Sequence, residues 1–215
     1  MKPVTYRSTI AALAIGQLFT WAALFYAFSS FVLPMQREFG WGKPEMMGAF
    51  TLGMAVWGVS SYGAGAAIDR GHGRWVMTLG AALAGAGFLV WSQIHALPLL
   101  YAAWALMGAA MAMTLYEPAF AVLTKRFPDH YRQGITSLTL VGGFASTLSF
   151  PAVAWLIATW GWRTALAVIG VTLLVGVAPL HAWALRGPDT PSRAPATDQA
   201  DDATLHEALR QRAFW

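Results

Sequence analysis

Cysteine is absent from the 215 residues, which excludes a disulfide framework, a thiolate metal site and a cysteine nucleophile. Charge is scarce as well. Only 11% of residues are Asp, Glu, Lys or Arg, against about 25% in soluble domains. With 57% of the chain hydrophobic, so few charges cannot keep the surface wet, and the solvent for most of it is lipid. The five histidines lie far apart in sequence, with no metal-ligand spacing. A membrane enzyme would need paired carboxylates, a histidine cluster or an activated serine near an interface, and none is present. No metal, cofactor or catalysed reaction is expected. The formal charge is +4, but the basic residues are scattered through short loops. Membrane topology accounts for them, and nucleic acid is not expected as a partner.

What the chain does have is long apolar runs. A hydrocarbon core about 30 Å thick takes about twenty apolar residues per helix. Six segments reach that length, at roughly 10–33, 46–68, 75–95, 98–122, 134–158 and 163–185. Backbone in lipid must bond internally, and the alternating ten-residue strands of a barrel are missing, so an all-α membrane protein of six transmembrane helices is expected. Pro34 is expected to follow the first span, with Pro44 and Pro98 in the first turns of the second and fourth. The run after Arg7 is too long for a signal-peptide core and reads as a retained first span.

Lys and Arg set the orientation. With the N-terminus cytoplasmic, that side holds Lys2, Arg7, Arg70, Arg74, Lys125, Arg126, Arg132, Arg186, Arg193, Arg210 and Arg212, and the other side Arg37, Lys43 and Arg163. This positive-inside bias puts both termini in the cytoplasm, and an inner-membrane location is expected. Trp41, Trp75, Trp91, Trp160 and Trp162 are expected near the interfaces as an aromatic belt. Small residues such as Gly16, Gly108, Ala112 and Gly142 suit close helix packing, and equally a polar cavity.

Composition changes after Arg186. The Pro-rich stretch 187–195 and the acidic Asp198, Asp201 and Asp202 read as a cytoplasmic linker, with a short amphipathic helix over Ala203 to Arg212. The expected organisation is a bundle over 1–186 and a linker over 187–215. The closing Arg-Ala-Phe-Trp215 resembles the start of a further span, so the chain is expected to be cut rather than finished.

The turn from Gly65 to Arg74 is the most distinctive charged stretch. Asp69, Arg70 and Arg74 fall within six positions between two apolar runs, with Gly65, Gly71 and Gly73 around them. Positive-inside bias alone explains the arginines, but not an aspartate directly before them. Glu117 is the one acidic residue well inside a predicted span, eight residues or about 12 Å before Lys125. A carboxylate at that depth costs at least about 2.5 kcal/mol. It is read as a proton- or substrate-coupling site, or as a gate partner of Arg70 or Arg74. Pro118 follows it and predicts a kink. Gln17, Tyr26, Tyr101, Thr114 and Tyr116 are candidates for contacting a substrate near the midplane, or for bonding a neighbouring helix.

The Gly65–Arg74 turn resembles the loop between the second and third helices of the major facilitator superfamily, roughly G-x-x-x-D-R-x-G-R-R. Gly65, Asp69, Arg70, Gly73 and Arg74 carry the match, and His72 stands where one variant of the pattern has glycine. Glu38-Phe-Gly-Trp41 and Gly161-Trp-Arg163 resemble the monocarboxylate and oxalate–formate branch, and Leu115 to Leu123 is similar to the end of the fourth helix in bacterial members. The G-P-x-x-G-G pattern that marks drug–proton antiporters in the fifth helix is missing around Pro151. The resemblance implies one half of a twelve-helix secondary transporter for a small solute, such as a carboxylate, bound between halves. It also implies that the Asp69 turn braces a cytoplasmic gate against a second half. The partners it implies are the bilayer, the solute, a proton and that C-terminal half. The alternative from the sequence is a self-contained six-helix scaffold or homodimer.

Overall fold

The computed structural model describes residues 5–187, and every regular element among them is helical. The expected linker and amphipathic helix beyond residue 187 lie outside the described residues. Helix α1 (Tyr6–Trp21) passes through a π-helical turn at Ala22–Tyr26 into α2 (Phe28–Phe39). Thereafter come α3 (Lys43–Asp69), α4 (Gly73–Ser92), α5 (Leu97–Thr114), α6 (Tyr116–Arg126), α7 (Tyr131–Gly143) and α8 (Ala145–Val171). A second π-helical turn, Thr172–Val177, leads into α9 (Ala178–Ala184).

Among the described residues, four helical runs are both long and apolar enough to cross a membrane: Tyr6–Phe39, Gly73–Ser92, Leu97–Arg126 and Tyr131–Ala184. This differs from the six expected, for two physical reasons. Helix α3 has 27 residues, about 40 Å at the helical rise, but its glycines, Ser60, Ser61, Tyr62 and Trp57 dilute its hydropathy. The run Tyr131–Ala184 is 54 residues long and is not one rod. Gly161 breaks it at φ 77°, ψ 161°, a conformation open to glycine and strained for other residues. Leu148, Ser149, Ala152 and Leu156 before the break share a cavity lining with Val168, Ile169, Thr172 and Leu173 after it. The run therefore folds back on itself as a hairpin.

Proline marks the starts of α3 and α5 as expected, at Pro44 and Pro98. Pro34 does not end the first run. It lies inside α2, which continues to Phe39 and closes on Gly40 at φ 69°. Buried Val32 and Met35 hold the helix on either side of it. A lone proline held this way bends a helix rather than stopping it.

The helices pack through glycines. A methyl group on Gly108 of α5 would collide with the carbonyl of Gly53 in α3, and one on Gly85 or Gly170 would meet the other's carbonyl at 2.7–2.8 Å. Such contacts let backbones approach closely where lipid gives no hydrophobic push. The aromatic core sits towards the end of the bundle opposite the Gly65–Arg74 turn. Phe28 stacks on Phe50 at 5.0 Å and meets Trp104 at 4.7 Å, and Trp91 lies 5.3 Å from Trp104. Trp91 is thus fully buried, with its N–H on Met35 Sδ at 3.3 Å. Trp162 is also buried. Trp75 and Trp160 remain exposed, as belt residues would be.

Candidate functional site

The turn end is built by cations capping helix C-termini. The last carbonyls of a helix have no partner within it, and each end carries negative partial charge. Helix α3 ends in a Schellman arrangement: Gly71 N–H bonds the Ile68 carbonyl at 3.0 Å and His72 N–H the Ala67 carbonyl at 3.1 Å. Gly71 has φ 87°, so it supplies the left-handed residue that the motif needs. That explains why His72, at φ −97°, is tolerated beside it. Lys125 Nζ lies 2.8 Å from Asp69 Oδ1 and donates to the Ile68 carbonyl at 3.2 Å, tying α6 to the end of α3. Arg74 Nε donates to the Ala182 carbonyl at 3.0 Å, and Arg126 Nη2 to that of Leu185 at 2.6 Å, so both hold α9. Arg70 is exposed. A methyl on Gly65 would meet nothing within 4 Å among the described residues.

The opposite end has its own clamp, which lies outside the expected site. Glu38 at the end of α2 accepts from Arg163 Nη2 at 2.8 Å and from Trp162 Nε1 at 2.7 Å. Arg163 also donates to the Ser92 carbonyl at 2.8 Å and the Ile94 carbonyl at 3.0 Å, closing the end of α4. Its guanidinium rests 4.5 Å from the Trp162 ring centre. The signal in the sequence was an acid and a base at the ends of different apolar runs, but they are 125 positions apart.

Between the two ends the run Leu97–Arg126 is broken. Helix α5 stops at Thr114, Leu115 adopts ψ −157°, and α6 restarts at Tyr116 with Pro118 in its first turn. The kink expected from Pro118 is there. The break brings Tyr116 to 4.8 Å from Trp21 and stacks it on Phe120 at 5.2 Å. The Tyr116 hydroxyl lies against Gly142 of α7. Trp21 also meets Phe25 at 5.4 Å, Tyr26 at 6.4 Å and Trp57 of α3 at 6.1 Å. Tyr26 in turn faces Phe150 at 6.3 Å. Rings from the first π-helical turn, α3 and α6 thus surround Trp21, with Phe150 of α8 behind Tyr26, and the Trp21 N–H is buried with no acceptor among the described residues. The sequence pointed to Tyr26 and Tyr116 but not to Trp21 or Trp57, because tryptophans within spans look like ordinary apolar filler.

The other expected residues are placed differently. Gln17 and Thr114 are fully buried, with Gln17 Nε2 donating to the Thr114 carbonyl at 2.7 Å and the Leu115 carbonyl at 3.2 Å. The Thr114 hydroxyl bonds back to the Ala110 carbonyl at 2.8 Å. Tyr101 donates to the Glu45 carbonyl at 2.9 Å, at the far end of α5 from Tyr116. Glu117 is exposed in the first turn of α6. No ion pair joins it to Arg70 or Arg74 among the described residues, where Asp69 takes Lys125 instead.

A family model described as Major Facilitator Superfamily matches residues 13–215. The chain is also 26% identical over 195 residues to an oxalate:formate antiporter of Oxalobacter formigenes. The match covers 88% of this chain and 45% of that relative, so the chain spans about half the length of the curated relative it matches. Both matches point to a membrane transporter rather than an enzyme.

Proposed function

The chain belongs to the major facilitator superfamily, and from that premise we propose that it works as part of a secondary transporter for a small organic anion, such as a carboxylate. In this reading all six long helical segments cross the membrane, α3 and both arms of the Gly161 hairpin included. Residues 1–186 form the bundle and 187–215 a cytoplasmic linker. The eleven-to-three distribution of Lys and Arg assigns the Gly65–Arg74 turn to the cytoplasmic side of an inner membrane, with both termini there.

One observation carries the choice of an anion: the buried N–H of Trp21, without an acceptor among the described residues, amid rings from the first π-helical turn, α3 and α6. An indole N–H can only donate, and a buried donor without an acceptor is costly. A carboxylate supplies acceptor oxygens and a flat group that fits against rings. The rings of Tyr26 and Tyr116, centred 6.4 and 4.8 Å from that of Trp21, carry hydroxyls that would serve as further donors. The name of the oxalate:formate relative supports this class of solute.

Alternating access would rock this bundle against a second six-helix unit around that point. Val59 and Tyr62 on α3, Leu140 on α7 and Phe144 between α7 and α8 offer exposed apolar surface for it. The Asp69–Lys125 pair would brace the cytoplasmic gate, and Glu117 would couple proton movement. The test is tryptophan fluorescence of the full-length protein titrated with oxalate and formate. A saturable change, lost in Trp21→Phe, supports the reading. A response that survives Trp21→Phe, or none at all, overturns the assignment of the anion to this group.

A further inference from the structure

We propose that Gln17 is a positioning residue: it replaces the backbone donor that Pro118 lacks, and so fixes where the run Leu97–Arg126 breaks and where Tyr116 and Glu117 stand. The proposal rests on the transporter reading only in what Tyr116 and Glu117 are positioned for.

In an unbroken helix the N–H of residue 118 would bond the carbonyl of residue 114. Proline has no N–H, so the Thr114 carbonyl is left without its partner inside a segment where lipid offers no water to replace it. Gln17 reaches across from α1 and donates to that carbonyl at 2.7 Å. Its second donation, at 3.2 Å, goes to the Leu115 carbonyl, which otherwise receives only a long 3.4 Å bond from Ala119 N–H. Because two carbonyl oxygens face the side chain, its amide nitrogen must be the end that points at them. The Oε1 atom is buried with no partner among the described residues, so the side chain acts here as a donor. The Thr114 hydroxyl is turned away to Ala110 and does not compete.

The geometric consequence follows from helical spacing. Trp21 lies four residues after Gln17 on α1, one turn along the same face. Tyr116 lies two residues after Thr114, at the restart of the helix. The Gln17 contact and the 4.8 Å Trp21–Tyr116 contact are therefore neighbouring rungs between α1 and the two sides of the break, the end of α5 and the start of α6. Without the amide, the break has nothing in α1 to hold its carbonyls, and the first turn of α6 loses its register against Trp21.

These 215 residues hold no cysteine, so Glu117→Cys introduces the one thiol of this bundle, tested in the full-length protein after any cysteine outside these residues is replaced by serine. Its rate of labelling by a water-soluble maleimide reports the placement of the first turn of α6. Gln17→Met keeps length and removes both donors, while Gln17→Glu is nearly isosteric and presents acceptors instead. Each is expected to change the labelling rate of that thiol at least threefold. In the native Glu117 background, each is expected to lower maximal uptake at least tenfold at normal membrane abundance. Pro118→Ala restores the backbone donor, so Pro118→Ala with and without Gln17→Met should label at the same rate. If Gln17→Met fails to reach the membrane, adding Pro118→Ala should restore it. Labelling unchanged by both Gln17 variants, or a Gln17→Met effect of the same size whether residue 118 is proline or alanine, overturns the proposal. An absence of uptake in the parent counts against the transporter reading alone, since the labelling cycle still decides the position of α6.

Discussion

Lys125 and Asp69 join the end of α6 to the end of α3 through a 2.8 Å ion pair, 73% of the Asp69 side chain remaining exposed. With its carboxylate so open to solvent, the pair contributes about 0–1 kcal/mol to stability. Its position suits switching better than holding. Asp69→Asn is therefore expected to leave expression and melting temperature nearly unchanged and to slow turnover in the full-length protein. Uptake at the parental rate would remove Asp69 from the gating role, and a large fall in melting temperature would make the pair structural.

The Arg163 clamp differs in kind. One guanidinium serves the Glu38 carboxylate, two carbonyls closing α4 and the face of Trp162. Lysine has the charge but not the planar fork. Arg163→Lys should thus destabilise nearly as much as Arg163→Ala, by about 1–3 kcal/mol for the loss of charge-assisted bonds, with a matching fall in melting temperature. Full retention of stability by the lysine variant would show that charge alone suffices.

Glycine contacts set the spacing between α3 and α5. Gly108→Ala gains helix propensity of about 1 kcal/mol but drives a methyl into the Gly53 backbone, and overpacking costs about 1–3 kcal/mol. A net loss of stability is expected. Gly58→Ala, where a methyl meets nothing within 4 Å, should raise stability slightly. Thermal unfolding of the two variants side by side checks the sign of each.

Gly16 meets the buried ring of His181 in the same manner, since a methyl there would overlap Nε2. His181 is fully buried and its Nδ1 lies 3.2 Å from the Met77 carbonyl. Gly16→Ala should destabilise the α1–α9 contact, and less so when His181 is replaced by alanine. Strict additivity of the two changes in a double-mutant cycle would mean that they do not share the contact.

Local chemistry was legible in the sequence. Pro44 and Pro98 start their helices, Pro118 marks a break, and the glycines around His72 announce a tight turn. Tertiary pairing was not. Nothing local tells Glu38 that its partner is Arg163, or Asp69 that Lys125 and not an arginine of its own turn will face it. Trp91 read as a belt residue because sequence gives depth along a helix but not the side of it, and its side faces Phe28, Phe31 and Trp104. Gln17 left two roles open in the sequence, a solute contact or a bond to a neighbouring helix, and it makes the helix bond. Its true neighbour is a carbonyl orphaned by a proline 101 positions later, visible only once the helices are placed.

Whether this bundle belongs to a carrier of small carboxylates is decided by exchange in proteoliposomes. These would contain the full-length protein, preloaded with oxalate and offered labelled oxalate or formate outside. Saturable uptake is expected, accelerated by internal oxalate and weakened in Tyr116→Phe through a raised KM. Correctly inserted protein with uptake no greater than protein-free vesicles, for every carboxylate tried, would contradict the carrier reading.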